Sequence, residues 1–437
     1  MNAVLIAVLI MLILSGLRVH VLISLLVGSI TAGILANMSL SHTMEAFNEG
    51  IKNGASIALS YALLGVFAIS ISKSGLPHAL SNIIINSLTH GGSKTKIKWL
   101  LITVIGLVSI SSQNILPIHI AFIPILIPPL LFVMAKLNLD RRMMACIISF
   151  GLVTPYMFLP IGFGNIFLNE ILMANISKAG MDVSNVNVME AMSIPALGML
   201  FGLLFSIFIS YRKPRKYSEG KIKNTEKLEI KLNKRSIYIC LIAIVVAFAV
   251  QLYSNSMILG ALAGFLLFVG TGIIKRKEVD DTFVEGVKMM AMIGFVMITA
   301  QGFAEVLNET GEIPSLVNAS ISLFSENKIV ASFFMLLVGL IITMGIGSSF
   351  STIPVIAAIY VPLCIKMGFS PMATVCLIGA AGAIGDTGSP ASDSSLSVTA
   401  GLNIDGQHDH IKDTVIPTFI HYNIPLFLAG WIASLML

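Results

Sequence analysis

The chain has 437 residues, of which 56% are hydrophobic and only 11% charged, and it carries a formal net charge of +5. A soluble domain of this length cannot cover its surface with so few charges, so the composition specifies a multi-pass membrane protein. The basic excess lies between apolar runs, where Lys and Arg set topology, and this excludes a nucleic-acid binder.

Residues 2–17 and 19–36 form a tight pair of apolar runs around Arg18, with neither the basic leader nor the small-residue cleavage site of a removable signal. A third run covers 54–72. Residues 99–135 are different: two apolar arms meet at the polar centre Ser109-Ile110-Ser111-Ser112-Gln113-Asn114, followed by Pro117. An arm such as 99–108 is too short for a hydrocarbon core of roughly 30 Å, which predicts a re-entrant hairpin, with two full spans as the alternative. Runs at 145–172 and 194–211 complete a first half, residues 1–211. Residues 212–235 then read as a cytoplasmic basic linker, since 211–235 hold ten Lys/Arg against three Glu.

The second half, 236–437, repeats the pattern with runs at 236–252, 257–274 and 287–304, a hairpin near 330–365, and runs at 372–402 and 415–437. Ala46-Phe47-Asn48-Glu49-Gly50-Ile51-Lys52 matches Thr282-Phe283-Val284-Glu285-Gly286-Val287-Lys288, and Ser74-Gly75 matches Thr310-Gly311 at the same offset. Thr154-Pro155 falls opposite Ser389-Pro390. Five spans per half make the second copy inverted. The expected fold is therefore all-α, with two inverted repeats, about ten transmembrane helices, two re-entrant hairpins and two broken helices. With the linker inside, both termini fall outside, and only Lys52, Lys178, Lys328 and Lys366 among the basic residues lie outside with them.

The chemistry concentrates at residues 385–395, GDTGSPASDSS, where hydropathy calls for lipid. Interrupted polar backbone at membrane depth survives only where it lines a cavity inside the protein, and an ionisable residue there marks a functional site. Asp386, Thr387, Ser389, Ser392 and Asp393 offer oxygen ligands for a hard cation, with Asp386 and Asp393 the charged candidates for Na⁺. The second hairpin tip, residues 345–352 (GIGSSFST), adds Ser348, Ser349, Ser351 and Thr352. The first tip adds Ser111, Ser112 and Asn114, and the first broken span, residues 151–165, adds Thr154 and Asn165. Paired interrupted segments in two halves point to a transporter's midplane site. The plainer alternatives are a loop in which Asp393 or Ser394 caps a helix, and a tip whose small residues form a packing seam.

Other polar residues carry less. Glu170 reads as an interfacial end residue, His119 as a neutral core histidine, and Lys73 and Lys366 as interfacial lysines. His408, Asp409 and His410 read as a solvated loop, and Cys146, Cys240, Cys364 and Cys376 as small packing residues. The sequence holds no HExxH, no GxxxxGK[ST] and no CxxC, so it is not read as an enzyme. Energy then comes from an ion gradient, and no cofactor is called for beyond Na⁺ or H⁺.

The run GDTGSPASDSS resembles the signature of the NhaC-type Na⁺/H⁺ antiporter family. The Met1-Asn2-Ala3-Val4 start and Ser60-Tyr61-Ala62-Leu63-Leu64-Gly65 are similar to its branch of predicted histidine and amino-acid permeases from Firmicutes. The resemblance implies a scaffold and a transport domain, elevator-type alternating access, a homodimer in a bacterial plasma membrane, and Asp386, Ser389, Pro390, Ser392 and Asp393 in the second half of the site. The first-half counterpart, Thr154-Pro155, lacks an acid. The expected function is gradient-coupled transport of a small amino acid, with histidine named by the resemblance; Na⁺/H⁺ exchange without an organic substrate is the alternative, and a passive channel a third class.

Overall fold

Apolar runs closed by polar caps become helices, and among the described residues of this computed structural model there is no strand. The structure describes residues 2–17, 19–77, 79, 93–114, 119–218, 233–254, 256–324, 327–390 and 392–437. In the first half these form α1 (Ala3–Gly16), α2 (Val21–Leu35), α3 (Leu40–Lys73), α4 (Lys94–Asn114), α5 (His119–Lys136), α6 (Arg141–Phe158), α7 (Phe163–Lys178) and α8 (Val188–Ser210). The second half holds α9 (Lys234–Ser254), α10 (Met257–Gly270), α11 (Val279–Glu309), α12 (Ile313–Phe324), α13 (Lys328–Ile346), α14 (Ser349–Met367), α15 (Pro371–Ala383), α16 (Asp393–Leu402) and α17 (His410–Met436).

Both halves run in a similar order: a helix pair, a very long helix, two arms, an interrupted pair and a closing helix, with α12 in the second half set between the long helix and the arms. The long helices, α3 with 34 residues and α11 with 31, take in the matched segments 46–52 and 282–288. They pack against each other antiparallel, with Gly50 against Gln301 and Gly302, Gly54 against Ile298, and Gly65 against Gly286. Neither Gly65 nor Gly286 has room for a Cβ, because each meets the other helix's backbone there. Such close approach by small residues is how helices gain contact energy where lipid supplies no hydrophobic drive.

Seven described helices are long and apolar enough to cross a membrane, or eight counting the bent pair α6–α7, fewer than the ten or so expected. Helices α1, α2, α10 and α15 have 14, 15, 14 and 13 residues, too short to cross alone at about 1.5 Å per residue.

The hairpin arms depart the other way: α4 has 21 residues and α13 and α14 19 each, longer than the arms read from hydropathy, while α5 has 18. The polar centre does not interrupt α4, which runs on to Asn114, since hydroxyl side chains inside a helix can bond back to carbonyls of the preceding turn. Only Gly347 and Ser348 join α13 to α14, and the far ends of the two arms meet where the Lys328 ammonium donates to the Gly368 carbonyl at 2.6 Å. The first connection, 115–118 with Pro117, and linker residues 219–232 lie outside the described residues.

The broken helices hold their place with a shifted centre. Helix α6 runs through Pro155 and stops at Phe158; Leu159, ahead of Pro160, is extended (φ −96°, ψ 114°), and Gly162 turns at φ 61°. α7 leaves at 53° to α6. The second break spans residues 384–392, between α15 and α16. The halves interlock across these breaks, with α14 packed on α7, and α16 on α5 and α6. The four cysteines are free and buried, in keeping with a packing role.

Candidate functional site

Asp386 lies in the second break and is only 8% exposed. One carboxylate oxygen accepts from the Tyr156 hydroxyl at 2.5 Å and the Ser349 hydroxyl at 2.9 Å; the other accepts from the Ser394 hydroxyl at 3.1 Å. The donors come from α6, from the first residue of α14 and from α16, so the carboxylate ties the first broken helix, the hairpin tip and the second broken helix together. The N-terminus of α14 adds its partial positive charge. Among the described residues no Lys, Arg or His pairs with Asp386.

A buried carboxylate held by neutral donors alone is costly. Hydroxyls serve both states, since each donates to the carboxylate now and can turn a lone pair to a hard cation.

The other expected residues divide. Thr387 is buried and donates to the Asn423 side-chain oxygen at 3.1 Å. Ser389 donates to the Met344 carbonyl at 3.1 Å, pinning the unwound segment to the end of α13. Ser392 is the N-cap of α16, accepting from the Ser395 amide at 3.2 Å. Ser351 and Thr352 are buried but turn back to the Ser348 carbonyl, at 3.4 and 2.9 Å, so of the tip hydroxyls it is Ser349 that reaches the carboxylate. Ser348 is half-buried and makes no side-chain cap bond. Asp393 is exposed in the first turn of α16, where a carboxylate favours the helix dipole; among the described residues it makes no hydrogen bond to the Asp386 cluster, but its charge lies near enough to repel that of Asp386. Thr154 is buried in α6 with its hydroxyl unpartnered among the described residues. Asn165 bonds Glu170 at 3.3 Å and Asn169 at 2.7 Å. Ser111 is half-buried, and the side chains of Ser112, Asn114 and His119 lie outside the described residues.

Sequence reasoning missed Tyr156, Ser394 and Asn423. Tyr156 directly follows Thr154-Pro155, a signal that a hydroxyl borne on a ring inside a broken span is a donor. Asn423 had no such marker; it ends a π-helical stretch, Phe419–Asn423, of the kind that often accompanies functional sites.

A second polar centre lies at the end of α16. Arg141, taken from sequence as a topology signal, is buried and donates through both terminal nitrogens to Asp405 at 2.7 Å, with both side chains 0% exposed. Arg215 bonds Asp413 at 2.7 Å, and the Tyr217 hydroxyl accepts from the Arg141 amide. His408 is buried against the Thr414 hydroxyl at 2.8 Å, which corrects the solvated-loop reading. Burial, partly offset by Asp413, holds the His408 imidazole down to about 4, so it is neutral. Burial works to raise Asp405, and the Arg141 bonds outweigh it and hold the carboxyl below its usual range. Among the described residues no group of His, Cys, Asp and Glu is arranged to hold a metal ion.

The Na⁺/H⁺ antiporter family model matches residues 147–431, and a second Na⁺-H⁺ antiporter family model matches residues 2–88. The chain belongs to the Na⁺/H⁺ antiporter family. An uncharacterized membrane protein of Vibrio parahaemolyticus is 53% identical over the whole of both chains, and the putative amino acid transporter YuiF of Bacillus subtilis is 48% identical, again over both in full. The YdaH transporter of Alcanivorax borkumensis has a similar fold, with a TM-score of 0.60 at 11% identity over 91% of this chain and 88% of that one. MtrF of Neisseria gonorrhoeae, described as illuminating a class of antimetabolite efflux pumps, has a TM-score of 0.57 at 16% identity over 90% and 84%. This antiporter-family chain is thus a multi-pass membrane protein and a secondary transporter.

Proposed function

We propose that the protein couples Na⁺ or H⁺ to the movement of a small amino acid, with histidine the first candidate. The observation that carries this is the buried Asp386 carboxylate, held by Tyr156, Ser349 and Ser394 where two broken helices and a hairpin tip meet. A cation or proton at Asp386 relieves an unpaired buried charge, and the same hydroxyls release or hold it as the tip moves. The amino-acid substrate is supported by the relative described as a putative amino acid transporter. The antiparallel contact of α3 and α11 supports residues 1–211 and 236–437 as inverted repeats about the linker 212–235. Elevator motion of the interrupted helices, a homodimer, a bacterial plasma membrane and external termini complete the proposal. The family description favours a second reading, Na⁺/H⁺ exchange with no organic cargo.

Uptake of radiolabelled histidine into sealed proteoliposomes under a Na⁺ gradient, a pH gradient or neither separates the two. Gradient-driven accumulation competed by unlabelled amino acids supports the first; Na⁺-driven proton flux indifferent to amino acids supports the second. Asp386→Asn is expected to abolish ion-driven flux in either case while the protein stays folded in detergent.

A further inference from the structure

Five aromatic rings cluster around Tyr156 and Phe350, next to the hydroxyls that hold Asp386. Phe350, one residue after Ser349 at the hairpin tip, lies 4.6 Å from Phe163, 5.1 Å from Phe167 and 5.1 Å from Tyr156, centroid to centroid. Tyr61, on α3, packs edge-on to Phe163 at 5.2 Å and to Phe350 at 6.1 Å, so it shares both ring neighbours with Tyr156, whose hydroxyl donates to the carboxylate. Packing alone explains rings in contact. It does not explain Tyr61: its hydroxyl is fully buried and has no partner among the described residues, where phenylalanine would pack as well without stranding a polar group.

A carboxylate next to an aromatic cluster that holds an unpartnered hydroxyl acceptor is the chemistry that recognises a nitrogen cation, through charge, ring quadrupole and one N–H bond. A bare alkali cation needs oxygens and gains little from rings. We infer that Tyr61, Tyr156, Phe163, Phe167 and Phe350 form the wall that binds the ammonium end of an organic substrate, with Asp386 as its counter-charge and Tyr61 as its hydrogen-bond acceptor. This rests on Asp386 as the cation site and names the class of cargo that site takes. In the present arrangement the rings fill one another's space, so the site binds a cation only when Phe350 is displaced from its ring neighbours.

Two probes share an imidazole ring and differ at the end group: histamine carries an ammonium, imidazolepropionate a carboxylate. At about pH 8 the ring itself is neutral, so the end group decides. Binding is read as thermal stabilisation of the detergent-purified protein, which needs no transport. Histamine is expected to stabilise the wild type and imidazolepropionate not. Phe350→Leu keeps an apolar side chain but removes the ring, and is expected to weaken histamine roughly three- to tenfold. Phe350→Tyr is expected to keep it, and Tyr61→Phe to weaken it by about fivefold. Equal stabilisation by imidazolepropionate, no stabilisation by histamine, or histamine affinity unchanged in both Phe350→Leu and Tyr61→Phe would overturn the inference. The proposed function fails separately, on the absence of any gradient-driven flux through Asp386.

Discussion

Two buried carboxylates of this chain have opposite company. Asp405 meets a guanidinium head-on, both partners sealed from solvent, whereas Asp386 is held by three hydroxyls and, among the described residues, by no cation. A paired buried charge is a fastener: removing one partner leaves the other stranded in low dielectric. A carboxylate held only by neutral donors leaves a position for a mobile cation. The two sit at different places along α16, beyond its C-terminus and before its N-terminus, so one helix links the ion-paired carboxylate to the one held by hydroxyls.

The largest expected effect breaks the fastener. Asp405→Ala should destabilise the protein by about 3–5 kcal/mol because it strands Arg141; thermal unfolding in detergent measures it, and a loss under about 1 kcal/mol would place water at the pair. Tyr156→Phe sharpens the other side: it keeps the ring among its aromatic neighbours and removes one hydrogen bond to a charged group, of the order of 2 kcal/mol. The expected result is a shift in the apparent affinity for the coupling ion of about tenfold or more, with stability lowered by no more than the lost hydrogen bond, about 2 kcal/mol. If stability falls and ion affinity does not, Tyr156 only packs.

Acid tests the fastened end. His408 is neutral when folded and titrates near its ordinary value when unfolded, so the unfolded chain binds more protons between those values and stability falls as pH drops from about 6.5 toward 4. The slope is at most about 1.4 kcal/mol per pH unit for this one group, and His408→Gln should remove it. Smallest is Asp393→Asn: an exposed first-turn acid contributes about 0.3–1 kcal/mol through the helix dipole, and ion-driven uptake should persist. Loss of uptake in that variant would return Asp393 to the site beside Asp386.

Much of this was legible in the chain. Lipid imposes apolar runs and tolerates polar interruptions only inside protein, so the breaks at 151–165 and 385–395, the repeated order of helices and Asp386 itself followed from local composition. The polar centre of α4 read as a break and is helix, because hydroxyl side chains can be accommodated within a helix and polarity alone does not break one. Asp386 and Asp393 looked equivalent in sequence, seven residues apart; their separation into a buried and an exposed carboxylate depends on which way the unwound segment faces.

The sequence by itself thus determined a helical membrane transporter with a polar, charged interruption in its second half, since hydropathy and helix-breaking residues act over a few neighbours. Only the tertiary structure decided which partners that interruption meets: Tyr156 from 230 residues away, Ser349 from 37, and the pairing of Arg141 with Asp405 across 264. Those contacts depend on how the two halves interlock, and residue type alone does not encode which hydroxyl among many faces which carboxylate.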